Sequence, residues 1–361
     1  MSFTQLAPTD FVISSDSITA PAWSSNQPTL TTFFTASAVP TTTISAGAFY
    51  LNVYQTQSNA NGAAVQFAIA YGNINGSGSQ WYNPLVAGVS PSLTTYRQYE
   101  TLIYGPALSG STQGFNFGGL ATSAPDIFAI NVDRNRYKES LFPGTFNLTL
   151  SGSGGAITIC DNSNDITTVT YLDCGRVFNL VSGSYGKAAP TLNTGQIAPG
   201  YTASGSYGFY LPDIGTIVLN TSALALPTIF GGIGLTPDRA NYGSGSYTLN
   251  ASASYTSTNN TILYQAISAS ANFQLNSQET ISSDYVFVRV GNSQYNYSTN
   301  PTFVSSSGAV LFDTMIYSPQ TYPTTIGLYN NNSELLAVAK MSKALVKDFT
   351  KEALIRVKLD W

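Results

Sequence analysis

The chain has 361 residues, of which 9% are charged (14 Lys+Arg against 18 Asp+Glu, net charge −4) and none is histidine; an ordinary soluble domain carries about 25% charge. Without histidine there is no Ser-His-Asp or Cys-His nucleophile system and no His-ligated zinc or iron site, and two cysteines build neither a thiolate zinc cage nor an iron–sulfur cluster. The acidic balance argues against a general nucleic-acid binder, which needs a basic face to displace counterions, and 43% hydrophobic residues are too many for a disordered chain.

Residues 1–45 read as an extended arm. Pro8, Pro21, Pro28 and Pro40 sit among Ser and Thr, with apolar anchors at Phe11-Val12-Ile13 and Phe33-Phe34. Proline holds itself and the residue before it in extended geometry, so the arm is expected to lie across its own domain or a neighbour. Deleting residues 1–30 is expected to leave the β core folded. The first basic residue is Arg97, so Met1–Ala20 lacks the charged start of a secretory signal. The longest apolar-looking stretch, Ala223–Leu235, is broken by Pro227 and falls short of the ~20 residues a spanning helix needs. Synthesis and folding in a cytoplasm are expected.

A β domain with one helix is expected over 46–186. Phe49, Leu51 and Val53 alternate with polar or amphipathic neighbours, and Val65–Tyr71 alternates again. Ser90 suits an N-cap, Pro91 the first helical position and Gly105 the C-terminal cap. Between them Leu93, Tyr96, Tyr99 or Glu100, and Ile103 fall at helical spacing, which predicts a helix over 91–104. Ile127–Val132, Thr145–Leu150, Ile157–Cys160 and Thr168–Leu172 read as strands, with a dense charge cluster at Asp133–Glu139. Ser-Gly-Ser-Tyr recurs at 182–185, 204–207 and 244–247; the unequal spacing excludes a solenoid period.

The centre, 187–280, is the least charged region. Strands are expected at Gly208–Leu211, Thr216–Leu219 and Thr261–Ile267, and a turn of helix at Thr221–Leu226. In 281–361, Tyr285–Val290 reads as a strand, Thr325–Tyr329 and Glu334–Lys340 flank the hairpin signal Asn330-Asn331-Asn332, and Ala353–Trp361 alternates. These C-terminal strands are expected to pack back on the first β domain. Half of all Lys+Arg lie from Arg289 onward. Lys340, Lys343, Lys347 and Lys351 have helical spacing, with a strand–loop–strand path equally open; either way they read as a solvated face, or else as a docking patch for an acidic partner. The fold class is therefore mainly β, with β-sandwich-like domains, an extended N-terminal arm and one short α-helix near 91–104.

Little in the chain carries chemistry. Cys160 and Cys174 end two candidate strands and could meet in a hairpin, either as a disulfide or, in a reducing compartment, as two small half-buried thiols. Asp161-Asn162-Ser163-Asn164-Asp165 fails as a calcium loop, with Ile166 where Gly is needed and Leu172 in place of the final Glu. Gly186-Lys187 fails as a phosphate loop, because Val181 stands where the first Gly belongs. Glycoside hydrolysis needs two facing carboxylates; Asp126, Asp133, Asp161, Asp165, Asp173 and Asp213 are available, and no pair stands out. Trp23, Trp81, Trp361 and the 23 tyrosines could stack on sugars, although scattered Tyr on strands more often serves sheet packing or an interface. No catalytic, cofactor-binding or metal-binding residue is assigned, and no cofactor is expected.

Several segments together resemble structural proteins of contractile-tailed bacteriophages, notably marine and cyanobacterial ones. They are Thr9–Ile13 with Ile18–Trp23, Val65–Gly72 with Gly76–Ser79, Tyr96–Tyr99, Arg136–Glu139 with Pro143–Leu148, Tyr295–Pro301, and Thr325–Tyr329 with Leu335–Lys340. The resemblance implies a virion role without chemistry, in the tail, baseplate or neck. Other virion structural proteins and copies of the chain itself are then the expected partners; the acidic balance argues against nucleic acid, no apolar run is long enough for a membrane-spanning helix, and the Tyr and Trp content leaves a host glycan as a further candidate ligand. The low charge agrees with that expectation, since hydroxyls and amides are less costly to bury at a subunit contact than unpaired charges. The neutral arm and centre are then the candidate contacts, and the two charged islands the solvated or partner-steering faces. A glycan- or receptor-binding adhesin on the virion surface is the alternative; a depolymerase is a weaker one.

Overall fold

The computed structural model describes residues 4–35, 41–42, 50–76, 92–106, 114–117, 123–189, 207–228, 231–237, 255–256, 258–298 and 300–360. The strands are, in chain order, β1 (Phe11–Pro21), β2 (Thr29–Leu30), β3 (Phe34–Thr35), β4 (Thr41–Thr42), β5 (Tyr50–Tyr54), β6 (Val65–Asn73) and β7 (Asp126–Val132). There follow β8 (Ser140–Leu141), β9 (Asn147–Gly152), β10 (Gly155–Asp161), β11 (Thr170–Leu172), β12 (Gly175–Ser184), β13 (Lys187–Ala188), β14 (Gly208–Leu211) and β15 (Thr216–Asn220). The last are β16 (Tyr255–Thr256), β17 (Phe273–Gln274), β18 (Asn276–Val290), β19 (Thr325–Tyr329), β20 (Leu335–Lys340) and β21 (Ala353–Asp360). Four helices complete the set: α1 (Ser92–Tyr104), α2 (Thr221–Leu224), α3 (Thr258–Ser270) and α4 (Asp313–Tyr317). The protein is mainly β, as expected. It divides into two bodies, one of Met1–Ser17 with Thr280–Trp361 and one of Ile18–Glu279.

The larger body is built on one antiparallel sheet in the order β2-β17-β9-β10-β12-β14-β15-β7-β6-β5-β3. Laid flat, these strands would span about 48 Å at about 4.8 Å each. Yet the two ends of the row, β2 and β3, are joined through residues 31–33, a link that reaches no more than about 14 Å. The sheet therefore curls until its ends approach, and its walls enclose a core. Helix α3 packs one face on this sheet, contacting β9 near one end and β5 and β6 near the other.

Burial along the strands follows from this curl. In β7 and β15 nearly every side chain is buried, as expected where both faces of a sheet are covered. Phe128, Ile130, Val132, Ile217 and Leu219 face the enclosed core with Phe67, Leu148 and Phe273. The alternate residues Ile127, Ala129 and Val218 face a second cluster covered by Tyr96, Tyr99 and Ile103 of α1 and by Phe115 and Phe117.

Helix α1 forms where the spacing predicts it, and Gly105, at φ 79°, ends it by donating its N–H to Thr101 O at 2.9 Å. The expected caps Ser90 and Pro91 lie outside the described residues, as do Trp81, Trp361 and the third Ser-Gly-Ser-Tyr copy. One expectation is overturned: Thr261–Ile267 is helical and forms the middle of α3. Leu263, Ala266 and Ile267 are buried in the enclosed core, and their three- and four-residue spacing is that of one helix face. That burial outweighs the strand preference of the run's β-branched and aromatic residues.

The amino-terminal segment is seated on its own chain. β1 pairs with β18, β2 with β17 and β3 with β5. Trp23 is 1% exposed and its indole N–H donates to Phe273 O at 2.9 Å and Pro28 O at 3.1 Å, while its ring meets Phe273 edge-on. Leu30 is also fully buried. Removing residues 1–30 would therefore take Trp23 and Leu30 out of the core, against the expectation that it leaves the β core folded.

Candidate assembly surface

Most of the described residues weighed for chemistry make contacts within the larger body, while Asp173 is exposed. Cys160 and Cys174 are separate buried thiols. Burial pushes the Cys160 thiol up to about 12, aided by the charge of Asp161, so it stays protonated. Asp161, whose carboxyl burial raises, accepts from Gly144 N at 2.9 Å and Ser163 N at 3.0 Å. Asp165 accepts from Ala188 N at 2.6 Å, and Lys187 contributes its carbonyl oxygen to Cys160 Sγ. These are the polar contacts of a hairpin, as the failed calcium and phosphate motifs imply.

Asp126 is fully buried and accepts from Tyr71 Oη at 3.0 Å and Thr221 Oγ1 at 2.5 Å. Asp213 holds Arg176 through Nε and Nη2, at 3.0 and 2.6 Å to Oδ1, while Arg176 Nη2 also reaches Ser140 Oγ. Gly175 makes room for that pair: a Cβ there would lie 2.4 Å from Asp213 Oδ2, and its φ is +98°. In the Asp133–Glu139 island, Asp133 caps a 3₁₀ turn by accepting from Asn135 N, and the Arg134 guanidinium lies 4.6 Å over the ring of Tyr137. Trp23, a candidate sugar platform, is inside the core. No group of three or more Cys, Asp or Glu capable of holding a metal is present among the described residues.

The smaller body differs in kind. Its central sheet runs β1-β18-β21, and in the β18–β21 register Val286 stands opposite Val357. Among the described residues this pair supplies its buried apolar side chains, at 3% and 6% exposed, and neither hydrophobic cluster includes a described residue of this body. Most of the large apolar side chains exposed among the described residues belong to it. Ile13 is 77% exposed, Leu336 69% and Tyr317 88%. Strand β1 is exposed along almost its whole length. Strands β19 and β20 form a separate two-stranded hairpin that alternates between exposed and half-buried residues without a buried face.

Polar contacts hold this body in shape. Asn330 Oδ1 organises the hairpin turn by accepting from Asn332 N and Glu334 N, as the Asn triplet predicts. Arg289 Nε lies 2.8 Å from Asp10 Oδ1, an ion pair outside the hydrogen-bonding angle. Lys347 corrects the reading of the four lysines as a solvated face. Its side chain is fully buried, and Nζ donates to Asn292 O, Asn296 Oδ1 and Asp348 O at 2.9, 2.7 and 2.9 Å. All three ammonium protons find an oxygen, which is what a buried charge requires.

The surface expectation also needs redrawing. The neutral arm and the described part of the neutral centre contribute heavily to the larger body's core, through Trp23, Leu30, Tyr210 and Leu263. The apolar surface left uncovered lies instead in the C-terminal body, beside half of the protein's basic residues. No family model matches the chain, and no curated protein or solved structure is significantly similar to it. Among the described residues, no helix is long and apolar enough to cross a membrane.

Proposed function

We propose that the protein is a non-enzymatic structural subunit of a bacteriophage virion, placed in the tail, baseplate or neck and held there by wide contacts of low charge. One observation carries the reading: a well-cored body is joined to a second one whose strands expose apolar side chains and bury almost none. An isolated two-stranded hairpin is marginal in water, and contiguous exposed apolar surface beyond a few hundred Å² marks an interaction site. Such a body reaches its working form against neighbouring subunits. The resemblance of the sequence to contractile-tail structural proteins supplies the setting.

The test is gold labelling of an epitope-tagged copy on intact particles, viewed by electron microscopy. Label at a fixed tail, baseplate or neck position is expected; particles free of label and of the protein would overturn the reading. A second reading, an adhesin on the virion surface, draws on exposed rings in the larger body, Tyr171 at 70% and Tyr185 at 59%. It requires glycan binding by the purified protein that is lost in Tyr171→Ala.

A further inference from the structure

We infer that the β1-β18-β21 sheet is an open fragment completed by a second copy of this chain, the β1 edge of one copy pairing with the β21 edge of the next. The inference rests on the assembly reading and adds to it the partner and the two edges that meet.

The edges are available. β1 and β21 end the path of this sheet among the described residues; its fourth strand, β8, pairs with β18 at Ser277 and Gln278, outside the stretch that pairs with β21. Natural edge strands are blunted by charge, proline, bulges or brevity. β1 has eleven residues, its proline only at the last position, and one charge, Asp16. Its opening Phe11-Val12-Ile13-Ser14-Ser15 is a strand-forming run, with Phe11 50%, Val12 47% and Ile13 77% exposed. An edge of this kind is a template for strand addition.

The two edges differ in charge. β1 offers the carboxylate of Asp16, while β21 offers Arg356, Lys358 and Asp360 on one face beside Tyr285 of β18, a net positive edge even though Lys358 pairs with Asp360 at 3.0 Å. Opposite charges placed across a strand pair stabilise it, and like charges do the reverse. Within one chain Asp16 already acts on Lys358, whose pKa is raised first by its hydrogen bond to Asp360 and also by that more distant charge. β21 set beside β1 of another copy brings the same charges closer. Two β1 edges would set Asp16 against Asp16, whereas a β1–β21 pair sets it against a net positive strand.

Apolar surface lies on both edges: Phe11, Val12 and Ile13 of β1, and Leu354 of β21 at 64% exposed. Pairing unlike edges is heterologous, so the product is a ring if the rotation closes and a filament if it does not.

The experiment uses the full-length chain, by sedimentation velocity and native mass spectrometry across a concentration series. Species larger than a dimer are expected. Asp16→Lys should weaken association about threefold to tenfold, through like charges across the new strand pair. Adding Lys358→Glu to Asp16→Lys should restore it, and Ile13→Lys should weaken it independently. Asp16 and Ile13 lie outside both hydrophobic clusters, so unchanged thermal unfolding at low concentration verifies the fold of each variant. A chain monomeric at all concentrations, a closed two-fold dimer, or indifference to Asp16→Lys each overturns the inference. None of those results removes the protein from the particle, so gold labelling decides the virion role separately.

Discussion

Trp23→Ala tests whether the amino-terminal segment is part of the larger body's core. The indole is 1% exposed, packs edge-on against Phe273 at 4.8 Å, and donates to the carbonyls of Phe273 and Pro28. Truncation removes about 200 Å² of buried surface, worth about 5 kcal/mol at about 25 cal/mol/Å². Measured large-to-alanine losses of about 3–5 kcal/mol agree. Trp23→Phe separates the two contributions: it keeps most of the ring and removes the N–H, with an expected loss of about 1–2 kcal/mol. Urea unfolding followed by far-ultraviolet circular dichroism, at several protein concentrations, reads both. The order parent, Trp23→Phe, Trp23→Ala is expected, with gaps independent of concentration. A Trp23→Ala protein within about 0.5 kcal/mol of the parent would refute the seating of this segment. A loss that grows on dilution would show instead that Trp23 occupies another copy.

Three further outcomes follow from the buried polar groups. Lys347→Met leaves Asn292 O, Asn296 Oδ1 and Asp348 O without their donor, and should cost about 2 kcal/mol in the smaller body; faster amide exchange in β21 should report it, and unchanged exchange would refute the role. Tyr210 is fully buried, and its hydroxyl has no hydrogen-bond partner among the described residues; Tyr210→Phe should therefore stabilise by up to about 1 kcal/mol in urea unfolding, and a destabilised variant would show that the hydroxyl is satisfied. Burial pushes the phenols of Tyr96 and Tyr207 up to about 12 from the usual 10.0. Phenols held neutral in the native state contribute stability that is full below pH 10 and lost as pH rises to about 12. Unfolding free energy measured against pH should thus fall across that window, less steeply in Tyr207→Phe; an equal slope would refute the assignment.

The elements legible in the sequence are those whose signal is local. Helix α1 carries its apolar period and Gly105, β7 carries the apolar run Ile127–Ile130, and the β19–β20 turn is written in Asn330-Asn331-Asn332. Helix α3 was hidden because Thr261, Ile262, Tyr264 and Ile267 favour strands, while its helical stripe, Leu263, Ala266 and Ile267, is short. The curl of the sheet was hidden for a different reason. It depends on pairings such as Phe273 with Leu148, and no local pattern selects one strand's partner from so many alternatives.

The proposed assembly surface was half legible. Scarce charge pointed to burial against neighbours, yet low charge accompanies interior and interface alike. Trp23 and Leu30 went to the interior, and Ile13 to the surface. The lysines misled similarly: spacing places Lys347 on a charged face, while Asn292 and Asn296, remote in sequence, provide the oxygens that allow its burial.

The Lys347 contact has a consequence for a cut chain. Its ammonium joins residues 292–296 to a position 51 residues beyond Asn296, and β18 and β21 pair on either side of that join. The intervening stretch is thus a loop closed by a noncovalent staple. A single protease nick inside it would leave two polypeptides that separate on a denaturing gel and migrate together on a native one.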